Sequence, residues 1–191
     1  MKHLLLLFIF IGTVGFAQSN LPTDYFSDPL EIPMILSGSF GELRSNHFHS
    51  GLDIKTQQRE GIPVYAPADG YVSRIKVQHY GYGKALYLKH PNGYSTVYAH
   101  LSKYAGDIQE YVKDKQYANE KYELELYPDA SILPVKKGEI IGYTGNSGSS
   151  GGPHLHYEIR DASSRPMNPM KFGVEIPDTK KPIINSVFAY P

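Results

Sequence analysis

The sequence predicts a mainly β protein: an antiparallel β-sheet or sandwich core of short strands, with one inserted helix. Three observations lead there. Glycine, proline and tyrosine number 18, 14 and 16 among 191 residues, a composition of many turns with aromatic residues suited to strands. Short alternating runs recur between turn signals, at 71–77, 85–89, 94–100 and 138–144. One stretch, 107–119, has helical spacing, with Ile108, Tyr111, Val112 and Lys115 on one face. A chain of this length carries one core and leaves little room for a second.

In chain order, Lys2 and His3 precede an apolar run at 4–11, and Gly15-Phe16-Ala17 offers small residues to a signal peptidase. This predicts a cleaved export signal over residues 1–17. The run falls short of the about 20 residues of a membrane span, so no span is expected after cleavage. Residues 18–39 read as a proline-broken lead-in that ends in a short strand at 34–40. Residues 61–70 read as a strand closing in an Asp69-Gly70 hairpin turn. Gly81-Tyr82-Gly83 and Pro91-Asn92-Gly93 mark the next turns, and 123–127 is an extended edge broken by Pro128. A small-residue loop, 145–152, leads into a strand at His154. It lacks the Lys-Ser/Thr ending of a P-loop and no helix follows, so phosphate binding is not its chemistry. Residues 173–191 read as a linker or the start of a further β segment.

Lysine plus arginine equal aspartate plus glutamate at 19 each, which argues against nucleic acid as a partner. There is no cysteine, so disulfides, thiolate metal sites and a thiol nucleophile are excluded. A metal must sit on histidine and carboxylate.

Five of the eight histidines fall into three groups: His47 and His49, then His100, then His154 and His156. On a strand, residues i and i+2 share a face. His154 and His156 therefore project side by side, suited to a metal, to proton transfer, or to both. Fully extended, His49 and Asp53 would stand about 13 Å apart. Ligand atoms of one zinc ion each lie about 2 Å from it, so the chain must bend between them, and Ser50-Gly51 supplies the bend. His47 shares the face of His49, and spacing does not separate the two. His100 ends a strand whose Val97 and Ala99 are expected on the opposite face. His79 and His90 lie at strand-to-turn transitions and read as structural or solvated.

Taken together, His49-x3-Asp53, Tyr98-Ala99-His100-Leu101 and His154-Leu155-His156 resemble the lysostaphin/LytM-type zinc metalloendopeptidases, a family of peptidoglycan hydrolases. The resemblance spans residues 40–169 and includes Gly61-Ile62-Pro63-Val64, Ala68-Asp69-Gly70 and Gly81-Tyr82-Gly83. It implies a zinc metallopeptidase domain over 40–172, with one Zn2+ per chain on His49, Asp53 and His156. It also implies His100 and His154 as catalytic histidines, and it chooses His49 over His47. Three protein ligands leave zinc one open position. With no His-Glu-x-x-His segment to supply a glutamate base, the two histidines are left to move protons.

The implied activity is hydrolysis of peptide bonds in peptidoglycan stem peptides or cross-bridges, in the periplasm or cell envelope, or outside the cell. The alternative is a non-catalytic activator of other cell-wall hydrolases, a role for which family members lacking metal ligands are known; here every ligand position is filled. One departure is the insertion at 107–133, where the family has a short connection. Its helix and Tyr122-to-Tyr127 edge read either as a flap or wall near the site or as a surface addition.

Overall fold

The structure is a computed structural model that describes residues 21–177 and Val187. The predicted export signal lies outside the described residues, as does most of 173–191. The elements in chain order are β1 (Leu36–Gly38), β2 (Leu52–Lys55), β3 (Pro63–Tyr65), β4 (Gly70–Val77), β5 (Lys84–Lys89), β6 (Ser95–Ala99) and β7 (Lys103–Tyr104). Helix α1 (Gly106–Asn119) follows, then β8 (Leu124–Leu126), β9 (Pro134–Val135), β10 (Ile140–Tyr143), β11 (His154–Arg160), β12 (Pro166–Met167) and a 3-10 turn, Pro169–Phe172.

Nine strands form one sheet, ordered β1-β2-β11-β6-β5-β4-β8, with β12 beside β11 and β9 beside β4; β3-β10-β7 form a second. All pairings are antiparallel. One apolar cluster runs through both sheets, joining Val64 and Ile141 of the small one to Leu52, Ile54, Tyr98, Leu155 and Tyr157 of the large one. Each such aliphatic side chain, fully buried, contributes about 1.5–3 kcal/mol.

The alternation of strand side chains then decides where polar groups go. Leu155, Tyr157 and Ile159 of β11 enter this core, as do Leu52 and Ile54 of β2. His154, His156 and Glu158 therefore occupy the outer face of β11, and Asp53 and Lys55 that of β2. The register pairs His156 with Asp53, His154 with Lys55 and, on the other side, His156 with Ala99. Cross-strand partners share a face, so three neighbouring strands present these groups together. A smaller apolar cluster of Ala85, Tyr87, Val97 and Ala99 supports that outer face.

One expectation is corrected and one alternative is decided. Asp69-Gly70 does not close a hairpin: β3 pairs with β10 and β4 with β5, so this dipeptide carries the chain from one sheet to the other. Gly70 is needed there because a Cβ would collide with the carbonyl of Lys89. The insertion does not wall the site. Its helix buries Ile108 and Val112, and β8 pairs with β4 at the end of the sheet opposite β1 and β2. An apolar helix face seeks the core, and an open strand edge takes a strand; both needs are met away from His49, Asp53 and His156, while Tyr122 stacks on His79. Among the described residues no helix is long and apolar enough to cross a membrane.

Candidate metal and catalytic site

His49 and Asp53 from one stretch of chain and His156 from another converge on the outer face of the large sheet. Nε2 of His49 lies 3.0 Å from Oδ1 of Asp53 and 3.1 Å from Nδ1 of His156, and the last two atoms are 2.9 Å apart. Around a tetrahedral ion with bonds of about 2.0–2.2 Å, ligand atoms stand about 3.3–3.6 Å from each other. The triangle is close to the size that an ion requires.

The far side of each ligand is fixed. Nδ1 of His49 donates to the carbonyl of Ser39 at 2.8 Å. The Arg44 guanidinium donates to Oδ2 of Asp53 at 2.9 Å. Nε2 of His156 donates to Glu158 at 2.9 Å. With those outer protons placed, Nε2 of His49 and Nδ1 of His156 face the Asp53 oxygen, where either a proton hydrogen-bonded to the carboxylate or a divalent cation satisfies all three atoms. The donor set, two imidazoles and one carboxylate, suits zinc.

Burial pushes the Asp53 carboxyl up, but hydrogen bonds from His156 and His49 outweigh it and hold the group well below the usual carboxylate range. Burial works against the charged form of His156 too, yet its bonds to Asp53 and Glu158 raise it overall. A proton and a metal thus compete for the same lone pair.

The bend between His49 and Asp53 falls at Gly51, for a reason spacing did not show. The backbone there is not left-handed; instead, a Cβ at this position would collide with the carbonyl of Tyr157. Glycine lets the bend press against β11. His47 is not part of the triad: it is exposed, and its Nδ1 pairs with Asn46 at 2.6 Å.

Glu158 was not singled out from the sequence, although it continues the period-two alternation of His154 and His156. Its carboxylate is fully buried and also accepts from Ser50 at 2.7 Å, from the Tyr82 hydroxyl, and from Arg160 Nε at 2.6 Å. Burial raises its pKa, but the His156 and Arg160 contacts bring it down to about 2. It stays an anion and fixes the tautomer of His156.

His154 and His100 stand beside the triad with ring centroids 4.7 Å apart. His154 donates from Nδ1 to the carbonyl of Gly152 at 2.8 Å, and its Nε2 lies 3.6 Å from Oδ1 of Asp53. His100 donates from Nδ1 to the carbonyl of Ser147 at 2.8 Å. Straight alternation would send His100 to the core side with Tyr98. Its φ of 60° turns it back to the face that Val97 and Ala99 share with the triad. This left-handed backbone is uncommon for a non-glycine residue. Burial pushes the His100 imidazole down to about 4, so the ring is neutral and Nε2 carries a lone pair. A cavity of about 330 Å3 lies over all five residues, and no residue of 107–133 lines it.

Residues 47–118 and 133–169 match peptidase family M23, and the chain belongs to that family. The unmatched piece is 119–132, so most of the helix lies within the matched part and the departure from the family is shorter than the expected 107–133. Among curated relatives, the DD-carboxypeptidase/endopeptidase Mpg of Neisseria meningitidis serogroup B is 35% identical over 136 residues, covering 71% of this chain and 25% of its own length. The peptidoglycan DD-endopeptidase ShyA of Vibrio cholerae is 34% identical over 126 residues, covering 66% of this chain and 23% of its own. The chain thus spans about a quarter of the length of these relatives. Among solved structures, the catalytic domain of the antimicrobial peptidase lysostaphin from Staphylococcus simulans superposes with a TM-score of 0.56 at 26% identity, over 74% of this chain and 93% of that one.

Proposed function

We propose that this protein is an exported zinc metalloendopeptidase that cleaves peptide bonds in peptidoglycan stem peptides or cross-bridges, with its catalytic unit at 40–172. The observation that carries this reading is the convergence of three ligand atoms, each anchored from behind, beside the rings of His154 and His100. His49, Asp53 and His156 would hold the metal. When bound, zinc supplies a Lewis acid for the scissile carbonyl and lowers the pKa of a water molecule to about 7.

The remaining steps belong to the chain's own side chains. His154 and His100 accept a proton from the attacking water at Nε2 and return it to the departing amine. Once protonated, either ring stabilises the developing oxyanion. Arg44, Ser39 and Glu158 keep the three ligands from turning. The substrate class is supported by the activities that the names of Mpg and ShyA carry. The residue 1–17 signal and that substrate support a location in the periplasm or cell envelope.

Zymography on purified cell wall tests this. Clearing is expected from the intact protein and is expected to vanish with a chelator or in His156→Ala. Clearing that survives both contradicts the mechanism. Zinc-free protein that clears nothing but stimulates another wall hydrolase establishes the activator reading instead.

A further inference from the structure

A second cavity, of about 610 Å3, adjoins the first: it shares Arg44, Asp53, Gly151 and His154 with it but includes neither His100 nor the two histidine ligands. Pro33, Ile35 and Pro153 give it an apolar wall, while Lys55, Gln57 and Gln58 supply the polar groups. Lys55 lies two residues beyond Asp53 on the same face of β2, and its Cα partner across the sheet is His154. The two cations of the lining differ in their commitments. Arg44 is paired with Asp53 and Glu42. Lys55 makes no ion pair among the described residues and is exposed. Asp53, already engaged, is the one carboxylate of the lining.

The glutamines add to the same bias. Gln57 Oε1 accepts from Arg59 at 2.8 Å, which leaves its NH2 as a donor. Gln57 and Gln58 take φ of 57° and 61° in succession, a costly backbone for side-chain-bearing residues that holds this turn at the cavity rim. The cavity thus offers an ammonium and an amide donor, with no uncommitted acceptor charge.

We infer that this cavity is an anion subsite that receives a free carboxylate of the peptide substrate, with Lys55 as its ion-pairing group. The inference rests on the peptidase reading and deepens it. Paired Cα atoms across an antiparallel ladder lie about 4.5–5.5 Å apart, and a peptide advances about 3.3 Å per residue. The carboxylate is therefore carried within one or two residues of the bond that lies over His154. The apolar wall takes the aliphatic part of the same residue. Two sources present this chemistry: a chain-terminal carboxylate and a side-chain carboxylate.

The test uses zinc-loaded protein and peptides whose scissile amide is replaced by a non-hydrolysable methylene-amine. Each peptide is made as an acid and as its amide, at the terminus in one pair and at the side chain in the other. Calorimetry is expected to show one acid binding about two- to fivefold tighter than its amide, the worth of one ion pair to an exposed lysine; the pair that shows it names the source. Lys55→Met is expected to remove the preference and Lys55→Arg to keep it. Equal binding of acid and amide in both pairs, or a preference unchanged in Lys55→Met, overturns the subsite. Hydrolysis of the parent peptides is scored separately. Cleavage without acid preference rejects the subsite alone, and preference without cleavage rejects the peptidase reading alone.

Discussion

His90 and His100 bracket β6 and are nearly equally buried, at 3% and 7% exposure, yet their surroundings assign them different work. Burial lowers the pKa of both rings. The difference lies in what the nitrogens meet. His90 donates from Nδ1 to the carbonyl of Asp69 at 2.9 Å and accepts at Nε2 from Thr96 at 2.8 Å, while the Thr96 oxygen accepts from the Tyr98 hydroxyl at 2.9 Å. That chain of contacts is closed. His100 has one nitrogen tied to Ser147 and the other without a hydrogen bond among the described residues, on a left-handed backbone that aims it at a cavity. Both are strand-end histidines in the sequence; what sets His100 apart is a ring nitrogen left over and a backbone that turns it toward the cavity.

Exchanging the two residues for alanine breaks the comparison most sharply. His100→Ala is expected to lower kcat about 10²–10⁴-fold per folded molecule with zinc content preserved. His90→Ala is expected to cost about 1–3 kcal/mol of stability, because it strands buried partners, and to leave activity per folded molecule intact. Reversal of the two outcomes would undo the distinction. Glu158→Gln comes next: loss of the anion behind His156 should weaken zinc binding about 10–100-fold, read by competition with a chromophoric chelator. Unchanged affinity would make Glu158 a bystander.

A pH series sharpens the closed side of the comparison. The native pKa of His90 lies below its ordinary value of 6.5, so in that window the unfolded chain binds a proton that the native ring refuses. Its contribution is whole above 6.5 and is lost as pH falls toward the native value, at up to about 1.4 kcal/mol per pH unit. His90→Gln should flatten the acid slope of the denaturant midpoint by up to that amount; an unaltered slope would assign the acid sensitivity elsewhere. The smallest effect is expected at the far edge of the sheet. Glu125→Ala removes a 2.6 Å ion pair with Arg74, worth about 0.2–1 kcal/mol at an exposed site. It should alter neither zinc binding nor cleavage. A loss of activity there would bring the insertion back to the site.

What was legible in the sequence was local or periodic. Alternation placed His154 and His156 on one face, and the helix appears at Gly106–Asn119, one residue from its expected start. The gathering of His49 and Asp53 with His156 was implied by the family resemblance that three motifs carry together, not by the spacing of any one. What was not legible depended on partners distant in the chain. The strand Leu52–Lys55 is too short to announce itself and exists because β1 and β11 flank it. Gly51 looks like a hinge but is required by the approach of Tyr157. The placement of 107–133 followed from which sheet edge was open, which residue types do not state.

The central claim is that His49, Asp53 and His156, and neither of the other two histidines, hold a single zinc ion. X-ray absorption on the zinc-loaded protein tests it most directly. One zinc per chain is expected, with two imidazole nitrogens and one carboxylate oxygen at about 2.0–2.2 Å and a spectrum that His100→Ala and His154→Ala leave unchanged. Substoichiometric zinc, or a shell that loses an imidazole in either of those variants, would contradict the account.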